Sequence, residues 1–209
     1  MEREIQQLIK NFDLNPRSRI LDVGASEGSF IAALQRRGFT ATGIEPLKKL
    51  VQLGREHGLD IHIGRFEPDG MAPALTRKVF DLICFRESIY YMPDLKETFA
   101  LLHKMLRRGG GLYIKCHVAT SIYYWKNKNY LSRYGLRVSG MPTLNALVGI
   151  LKKEGYKIRK TGYFPFNVLS TLGCPFSGSY LGRLAGRVLS PIVQGVGKAD
   201  QIFILAARE

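Results

Sequence analysis

The chain has 209 residues, 45% of them hydrophobic, only three cysteines and a formal net charge of +14 at pH 7. This length fits a single domain, here residues 1–209, with enough core to fold alone. There is no uncharged apolar run long enough to span a membrane, no signal-peptide pattern in Met1–Asp13 and no C-x-x-C spacing, so we expect a cytoplasmic protein without a metal site.

The chain starts with a helical pattern. Apolar residues recur with helical spacing in Glu4–Phe12, and Asn15–Pro16 ends the pattern before the first strand. We expect residues 1–18 to form a leading helix that docks on the edge of a sheet. A position over a bound ligand is the alternative role for this helix.

The next segment predicts a ligand-binding turn between a strand and a helix. The apolar strand Ile20–Val23 leads into a turn with Gly24 and Gly28, and the second strand ends about twenty residues later at Glu45. A carboxylate at that spacing is suited to accept hydrogen bonds from a ribose diol. The carboxylates Asp22 and Glu27 would repel a pyrophosphate and suit a ligand with a cationic amine. The pattern therefore points away from a nicotinamide dinucleotide and towards S-adenosylmethionine.

The remaining periodic segments alternate between helices and short apolar strands, which indicates an α/β fold. Those that follow the first strand are a helix at Ser29–Gly38, a strand at Thr40–Ile44, a helix at Leu47–Gly58, strands at Asp60–Ile63 and Val79–Phe85, a helix at Leu95–Leu106, a strand at Gly111–His117, a helix capped by Thr143, and strands at Tyr156–Lys160 and Gln201–Ala207.

Four motifs in this order resemble class I S-adenosylmethionine-dependent methyltransferases, of the small-molecule type found in ubiquinone and menaquinone biosynthesis. DVGASEG and GIEP resemble the first two motifs, Phe80–Asp94 resembles the fourth-strand motif, and Leu101–His117 resembles the segment after it. The resemblance implies a doubly wound α/β fold with helices on both faces of a mostly parallel seven-stranded sheet, the last strand being antiparallel. It also implies that the cofactor is S-adenosylmethionine.

The resemblance places the cofactor-binding residues on four turns. They are Asp22, Gly24, Ala25, Glu27 and Gly28 for the methionine part, Glu45 and Pro46 for the ribose, Arg65, Phe66 and Glu67 for the adenine, and Phe85 and Arg86 at the sulfonium end. Phe66 is equally expected as a core residue. A cation at position 86 does not suit a sulfonium, so Arg86 is expected to point outward to an anionic substrate or back to a carboxylate. A Glu45→Ala change is expected to weaken cofactor binding with little change in melting temperature.

Two residues are candidates for catalysis. His117 ends the fifth strand at the rim where open parallel sheets bind ligands, and it is the best-placed general base, with a structural hydrogen bond as the alternative. Tyr91 stands where relatives carry the histidine of a Glu-His pair. It could orient or deprotonate a hydroxyl, but an ordinary phenol is a poor base at neutral pH, so packing is an alternative role.

The second half of the chain is basic. Residues 98–199 hold 16 Lys or Arg against Glu154 alone, whereas residues 1–97 hold 14 of each sign. Such asymmetry attracts anions, although scattered basic residues also serve solubility. We expect residues 118–142 and 162–200 to be substrate-side or lid insertions. An apolar helical face in the second insertion suggests either contact with an anionic membrane surface or packing on the domain.

These patterns predict a methyltransferase that acts on a small, anionic or lipophilic acceptor. The first alternative is an RNA 2′-O-methyltransferase, because DVGAS and Lys115 resemble that family, but Phe85–Arg86 stands where its catalytic Asp is needed. Nucleic acid therefore ranks second as a partner. The other alternative is a cofactor-binding protein without transferase activity.

Overall fold

The computed structural model describes residues 1–120, 141–164 and 201–209. Five helices and seven strands occupy these residues. They are α1 Glu2–Phe12, β1 Arg19–Val23, α2 Ser29–Gln35, β2 Thr40–Glu45, α3 Lys48–Glu56, β3 Ile61–Ile63, β4 Phe80–Arg86, α4 Leu95–Met105, β5 Leu106–His117, α5 Leu144–Lys153, β6 Tyr156–Tyr163 and β7 Gln201–Arg208, with a 3-10 turn at Ile89–Tyr91.

The strands form one seven-stranded sheet in the order β3-β2-β1-β4-β5-β7-β6. The pairs among β1 to β5 are parallel, and β7 is antiparallel to both of its neighbours. The predicted fold is therefore confirmed. One reversal of strand order matters for function, because β1 lies between β2 and β4, and ligands bind at such a switch point beyond the carboxyl ends of the strands.

Two apolar clusters cover the two faces of the sheet. One contains the buried side chains of α1 and α2, among them Ile5, Leu8 and Phe30. The other contains the buried residues of α4 and α5, such as Phe99 and Leu147. Helices therefore lie on both faces, and each buries the stripe that its sequence period predicts.

Local sequence signals explain several boundaries. Asp94 caps α4 by accepting from the N–H groups of Lys96 and Glu97, and Thr143 caps α5 by accepting from Ala146 N–H, as predicted. The sixth strand runs to Tyr163, so the predicted insertion from 162 overlaps its end. The greater part of both predicted insertions, with the proposed membrane-binding face, lies outside the described residues.

Candidate functional site

The turn after β1 has a backbone that only a few residues allow. Gly24, Ser26 and Gly28 have φ angles of +76°, +53° and +87°. A Cβ on Gly24 would come 2.7 Å from the Cβ of Ser88, and one on Gly28 would come 2.6 Å from Leu59 Cδ1. Both glycines are therefore required by space as well as by backbone conformation.

Hydrogen bonds fasten this turn to the end of β2. The N–H groups of Gly24 and Ala25 donate to the carbonyl of Ile44 at 2.9 and 3.1 Å. The buried Glu45 carboxylate accepts from Ser26 N–H at 3.1 Å and from Leu47 N–H at 3.0 Å, and Pro46 beside it is exposed. Glu45 thus holds the turn itself, and the expectation that its removal leaves the ligand-free protein unperturbed must be revised.

Asp22 is a buried acid beneath the same turn. Its Oδ1 atom is buried and has no hydrogen-bond partner among the described residues. Burial raises the pKa of Asp22 to about 7, against the opposing effect of Arg86. An unpaired buried carboxyl is costly, and a cationic amine would pair with it. Together with the Gly24 turn, this carboxyl fits a ligand that carries a positive charge.

The acid on the outer side of the turn is in a different environment. Glu27 is exposed, and its pKa is lowered chiefly by a hydrogen bond from the Ser26 hydroxyl. It is therefore charged over the neutral range. We call Asp22, Gly24–Gly28 and Glu45 the cofactor corner, after the role predicted for them from the sequence.

The residues expected around adenine and the sulfonium divide into two groups. Arg65 is exposed, with its guanidinium 3.7 Å from the carboxylate of Glu67, so both are accessible next to the corner. The side chains of Phe66 and Phe85 are buried in the core, where their rings meet edge to face at 5.4 Å. The core role for Phe66 is confirmed, and neither phenyl ring is at the surface.

Arg86 points back to a carboxylate, which confirms one of its two predicted orientations. Its Nε donates to Glu4 of α1 at 3.1 Å, and its guanidinium lies 4.2 Å from the ring centre of Phe30. The same Glu4 oxygen accepts from the Tyr113 hydroxyl at 2.8 Å. Burial acts to raise the pKa of Glu4, but Arg86, together with smaller effects of Lys115 and Tyr113, outweighs burial, and the pKa is lowered. The leading helix is therefore tied by a buried ion pair to the face of the sheet over β4 and β5. The prediction that it docks on the sheet edge is wrong.

His117 lies at the carboxyl end of β5, beside Glu87, which follows β4. The Oε2 atom of Glu87 is 3.7 Å from His117 Nε2 and accepts from the His117 backbone N–H at 3.3 Å. Gln201, at the start of β7, donates its amide to Glu87 Oε1 at 2.9 Å, and the same Nε2 is 3.3 Å from His117 Nε2. Three strand ends thus meet at one polar cluster.

Two tyrosines follow this cluster. Tyr90 is buried and donates to Glu87 Oε2 at 3.1 Å, and burial raises the pKa of its phenol. Tyr91 is partly exposed, and its ring meets that of Tyr90 edge to face at 4.6 Å. We call Arg86, Glu87, Tyr90, Tyr91, His117 and Gln201 the acceptor rim.

Sequence reasoning gave no role to Glu87 or Gln201. Glu87 stands in the loop after β4 and could have been singled out because it is the first acid beyond a predicted strand end. Gln201 carries no such signal, because its partners lie 84 and 114 residues away in the chain. The partner of Arg86 was equally hidden, since Glu4 belongs to a different element.

Two kinds of feature are absent from the described residues. No group of three His, Cys, Asp or Glu side chains is placed to hold a metal ion within residues 1–120, 141–164 and 201–209. Over the same ranges, none of the helices has the length and apolar character that crossing a bilayer needs.

Comparison with known proteins identifies relatives of this chain. A family model described as a methyltransferase domain matches residues 1–161. The methyltransferase GfsG of Streptomyces halstedii is 30% identical over 118 residues, which are 54% of this chain and 42% of that protein. A ubiquinone biosynthesis O-methyltransferase of Rhizobium leguminosarum is 25% identical over 116 residues, 50% of this chain and 45% of that protein. The matches thus span less than half of each relative.

A solved structure agrees over nearly the whole chain. The S-adenosylmethionine-dependent methyltransferase of Archaeoglobus fulgidus has a TM-score of 0.70 and 16% identity, covering 99% of this chain and 92% of that one. At this identity, the likeness concerns the fold. It agrees with the strand order described above.

Proposed function

Because this chain belongs to the family of methyltransferase domains, we propose that it transfers a methyl group from S-adenosylmethionine to a small molecule. The observation that carries the proposal is Asp22, a buried carboxyl whose Oδ1 has no partner among the described residues, beneath a glycine turn. A ligand with a cationic amine would satisfy it. Glu45, at the end of β2, stands where a ribose would be held.

The cofactor corner would hold S-adenosylmethionine through its own charges. Asp22 and Glu27 would face the amine, with Ala25 and Gly28 shaping the turn, and Glu45 with Pro46 would face the sugar. Arg65 and Glu67 are the accessible residues for the adenine. Phe66 and Phe85 would support the cofactor site by packing beneath it, and Arg86 would act on the site through its charge. When bound, the cofactor supplies an activated methyl carbon, so the protein mainly has to position the acceptor.

The acceptor rim would receive the second substrate. We assign His117 as the general base and Tyr91 as a positioning residue, because His117 ends β5 and Tyr91 follows β4, the strand that lies between β5 and β1. The basic second half favours an anionic acceptor. A lipophilic acceptor is supported by the name of the Rhizobium relative, which refers to ubiquinone biosynthesis.

An RNA acceptor has weaker support. The alternative needs a carboxylate at the end of β4, where this chain has a buried Phe85 and an Arg86 that is paired with Glu4. DVGAS and Lys115 are the parts of that family's pattern that this chain carries. The relatives that match this chain are named for small-molecule methylation or by the general term methyltransferase.

A calorimetric titration with S-adenosylmethionine tests the cofactor assignment. The Glu45→Gln variant keeps one carbonyl oxygen for the turn but loses the charge, so we expect affinity to fall about tenfold to a hundredfold. Glu56→Gln, on the exposed side of α3, is the matched control and should bind like the wild type. Equal affinity for the Glu45 variant would remove Glu45 from the site.

The wild-type titration and turnover test the activity as a whole. A wild-type chain that does not bind the cofactor would overturn the proposal. Binding without methyl transfer to any member of a broad acceptor panel would favour a cofactor-binding protein without transferase activity. RNA methylation, with affinity that falls steeply with salt, would favour the RNA alternative.

A further inference from the structure

The backbone at Glu87 is unusual for an acidic residue directly after a strand. Its φ angle is +59°, a conformation that few residues other than glycine adopt. The N–H of Glu87 still pairs with the carbonyl of Lys115 at 2.8 Å, so β4 and β5 stay joined up to this point. The turn brings the Glu87 side chain to the ends of β5 and β7. Backbone strain of this kind is often found where a side chain has a functional role.

The Glu87 carboxylate is held from three sides. Tyr90 and the backbone of His117 donate to Oε2, and Gln201 donates to Oε1. Both oxygens are therefore engaged, and the carboxylate has a fixed direction. It faces the His117 imidazole at 3.7 Å, with the Gln201 amide within 3.3 Å of the same ring nitrogen. The 3.7 Å contact is longer than a hydrogen bond, so the carboxylate acts on the imidazole through its charge, which favours one orientation and one tautomer of the ring.

The next residue connects this cluster to the cofactor corner. Ser88 is buried, and its hydroxyl donates to the carbonyl of Val23 at 2.5 Å, the last residue of β1. Its Cβ lies against Gly24, where any larger residue would collide. Glu87 is therefore anchored, through one peptide bond, to the turn that we assign to the cofactor.

We propose that Glu87, held by Gln201, is the positioning residue that fixes His117 as proton acceptor for a hydroxyl group of the acceptor molecule. This inference rests on the proposed function. The acceptor O–H bond breaks and its proton passes to the imidazole, while the new O–CH₃ bond forms. The carbon–sulfur bond of the cofactor breaks, and its electron pair stays on sulfur. The acceptor class is thus a hydroxyl compound that must lose its proton, which a tertiary amine does not need to do.

The charges around Glu87 are consistent with this role. The titratable groups that face it are His117, Lys115 and Cys116 on β5 and Tyr90 on the 3-10 turn, while β7 contributes the neutral Gln201. Burial raises the pKa of Glu87, while His117, Tyr90 and Lys115 act to lower it. When His117 takes a proton, the positive charge forms next to this carboxylate, which favours the transfer.

The test is ¹⁵N NMR of the imidazole rings with S-adenosylhomocysteine bound. We compare the wild type with Glu87→Gln and Gln201→Leu, using His117→Asn to assign the signal. We expect His117 to show one tautomer in the wild type and a mixture in both variants. Glu97→Gln, an exposed carboxylate on α4, is the matched control and should leave the signal unchanged. An unchanged His117 signal in both variants would overturn the inference.

A kinetic measurement tests the acceptor class with catechol and 3,4-dihydroxybenzoate as hydroxyl probes and dimethylglycine as an amine probe. We expect transfer to a hydroxyl probe, with kcat about a hundredfold lower in Glu87→Gln. Transfer to the amine alone would overturn the acceptor class. Calorimetry with S-adenosylhomocysteine should give the same affinity in the wild type and in all variants. A wild type that does not bind it would indicate that the proposed function has failed, independently of the role of Glu87.

Discussion

The cofactor corner and the acceptor rim lie side by side but are held together in different ways. The corner is fixed by backbone geometry and by backbone N–H groups that donate to a carbonyl and to a carboxylate. The partners are close in the sequence, since Ser26 and Glu45 are 19 residues apart. The rim is fixed by side chains whose hydrogen-bond partners lie 30, 82 and 114 residues away in the sequence. One region depends on steric fit, and the other depends on charge pairing.

This difference predicts how each region fails. A change in the corner should act locally, because the constraint is a φ angle or a close contact that no neighbour can relieve. A change at the rim should act at a distance, because it leaves a charge on another element without its partner. Three substitutions, taken from the largest expected effect to the smallest, test this contrast.

The largest effect is expected for Arg86→Met at the rim. The change leaves Glu4 of α1 buried without its cation and removes the positive charge that acts to lower the pKa of Asp22. Breaking a buried ion pair by removing one partner should lower the free energy of unfolding by about 4 kcal/mol. Urea denaturation at pH 7 measures this loss.

An exposed ion pair provides the control for Arg86. Arg107→Met breaks the contact between Arg107, at the amino end of β5, and Asp81 on β4. The Arg107 side chain is about half-exposed. We expect a loss below about 1 kcal/mol. Adding Glu4→Gln to Arg86→Met should recover part of the larger loss. Equal losses for the two arginine variants would show that the rim does not depend on buried charge.

The next effect is expected for Gly24→Ala in the corner. The new Cβ would meet Ser88 Cβ at 2.7 Å and force a residue with a side chain into φ +76°. Backbone strain and overpacking together should cost about 3 kcal/mol, measured by urea denaturation. Cofactor affinity, measured by calorimetry, should fall as well, because the turn must shift.

Gly38→Ala separates the two contributions. Gly38 has a similar φ of +81°, but a Cβ there would meet nothing within 4 Å. We expect a loss of about 1 kcal/mol from backbone strain alone, with unchanged cofactor affinity. If the two glycine variants lose equal stability, the close contact with Ser88 contributes nothing.

The same contrast explains what the sequence allowed us to predict. The strand, the glycine turn and Glu45 were predictable because the residues that form the corner lie within one βαβ unit, and their spacing is itself the signal. The mostly parallel seven-stranded sheet and the antiparallel β7 were predicted from family resemblance and are confirmed.

The contacts of the rim could not be predicted in the same way. His117 was placed correctly at the end of a strand, but its neighbours Glu87 and Gln201 come from two other strand ends. The orientation of Arg86 was left open between solvent and a carboxylate, because nothing in the local sequence shows that α1 brings Glu4 to it. Pairing over such distances is a property of the fold.

The smallest effect is expected for Asp22→Asn, which tests whether the corner gives up stability for binding. Burial raises the pKa of Asp22 to about 7, above its value in the unfolded chain. The folded state therefore binds more protons than the unfolded chain between about pH 4 and pH 7, so this carboxyl lowers stability as pH rises through that window. The Asp22→Asn variant has no carboxyl to ionise at this position, so its stability does not fall in this way.

At pH 8 we expect the free energy of unfolding of ligand-free Asp22→Asn, measured by urea denaturation, to exceed that of the wild type by about 2 kcal/mol. Near pH 4 the two values should be equal. The same variant should bind S-adenosylmethionine more weakly at pH 8, because the amide cannot pair with a cationic amine. A variant less stable than the wild type at pH 8 would show that the ionised Asp22 already has a partner. A gain in stability together with a loss of affinity would identify the unpaired carboxyl as a group kept for the cofactor.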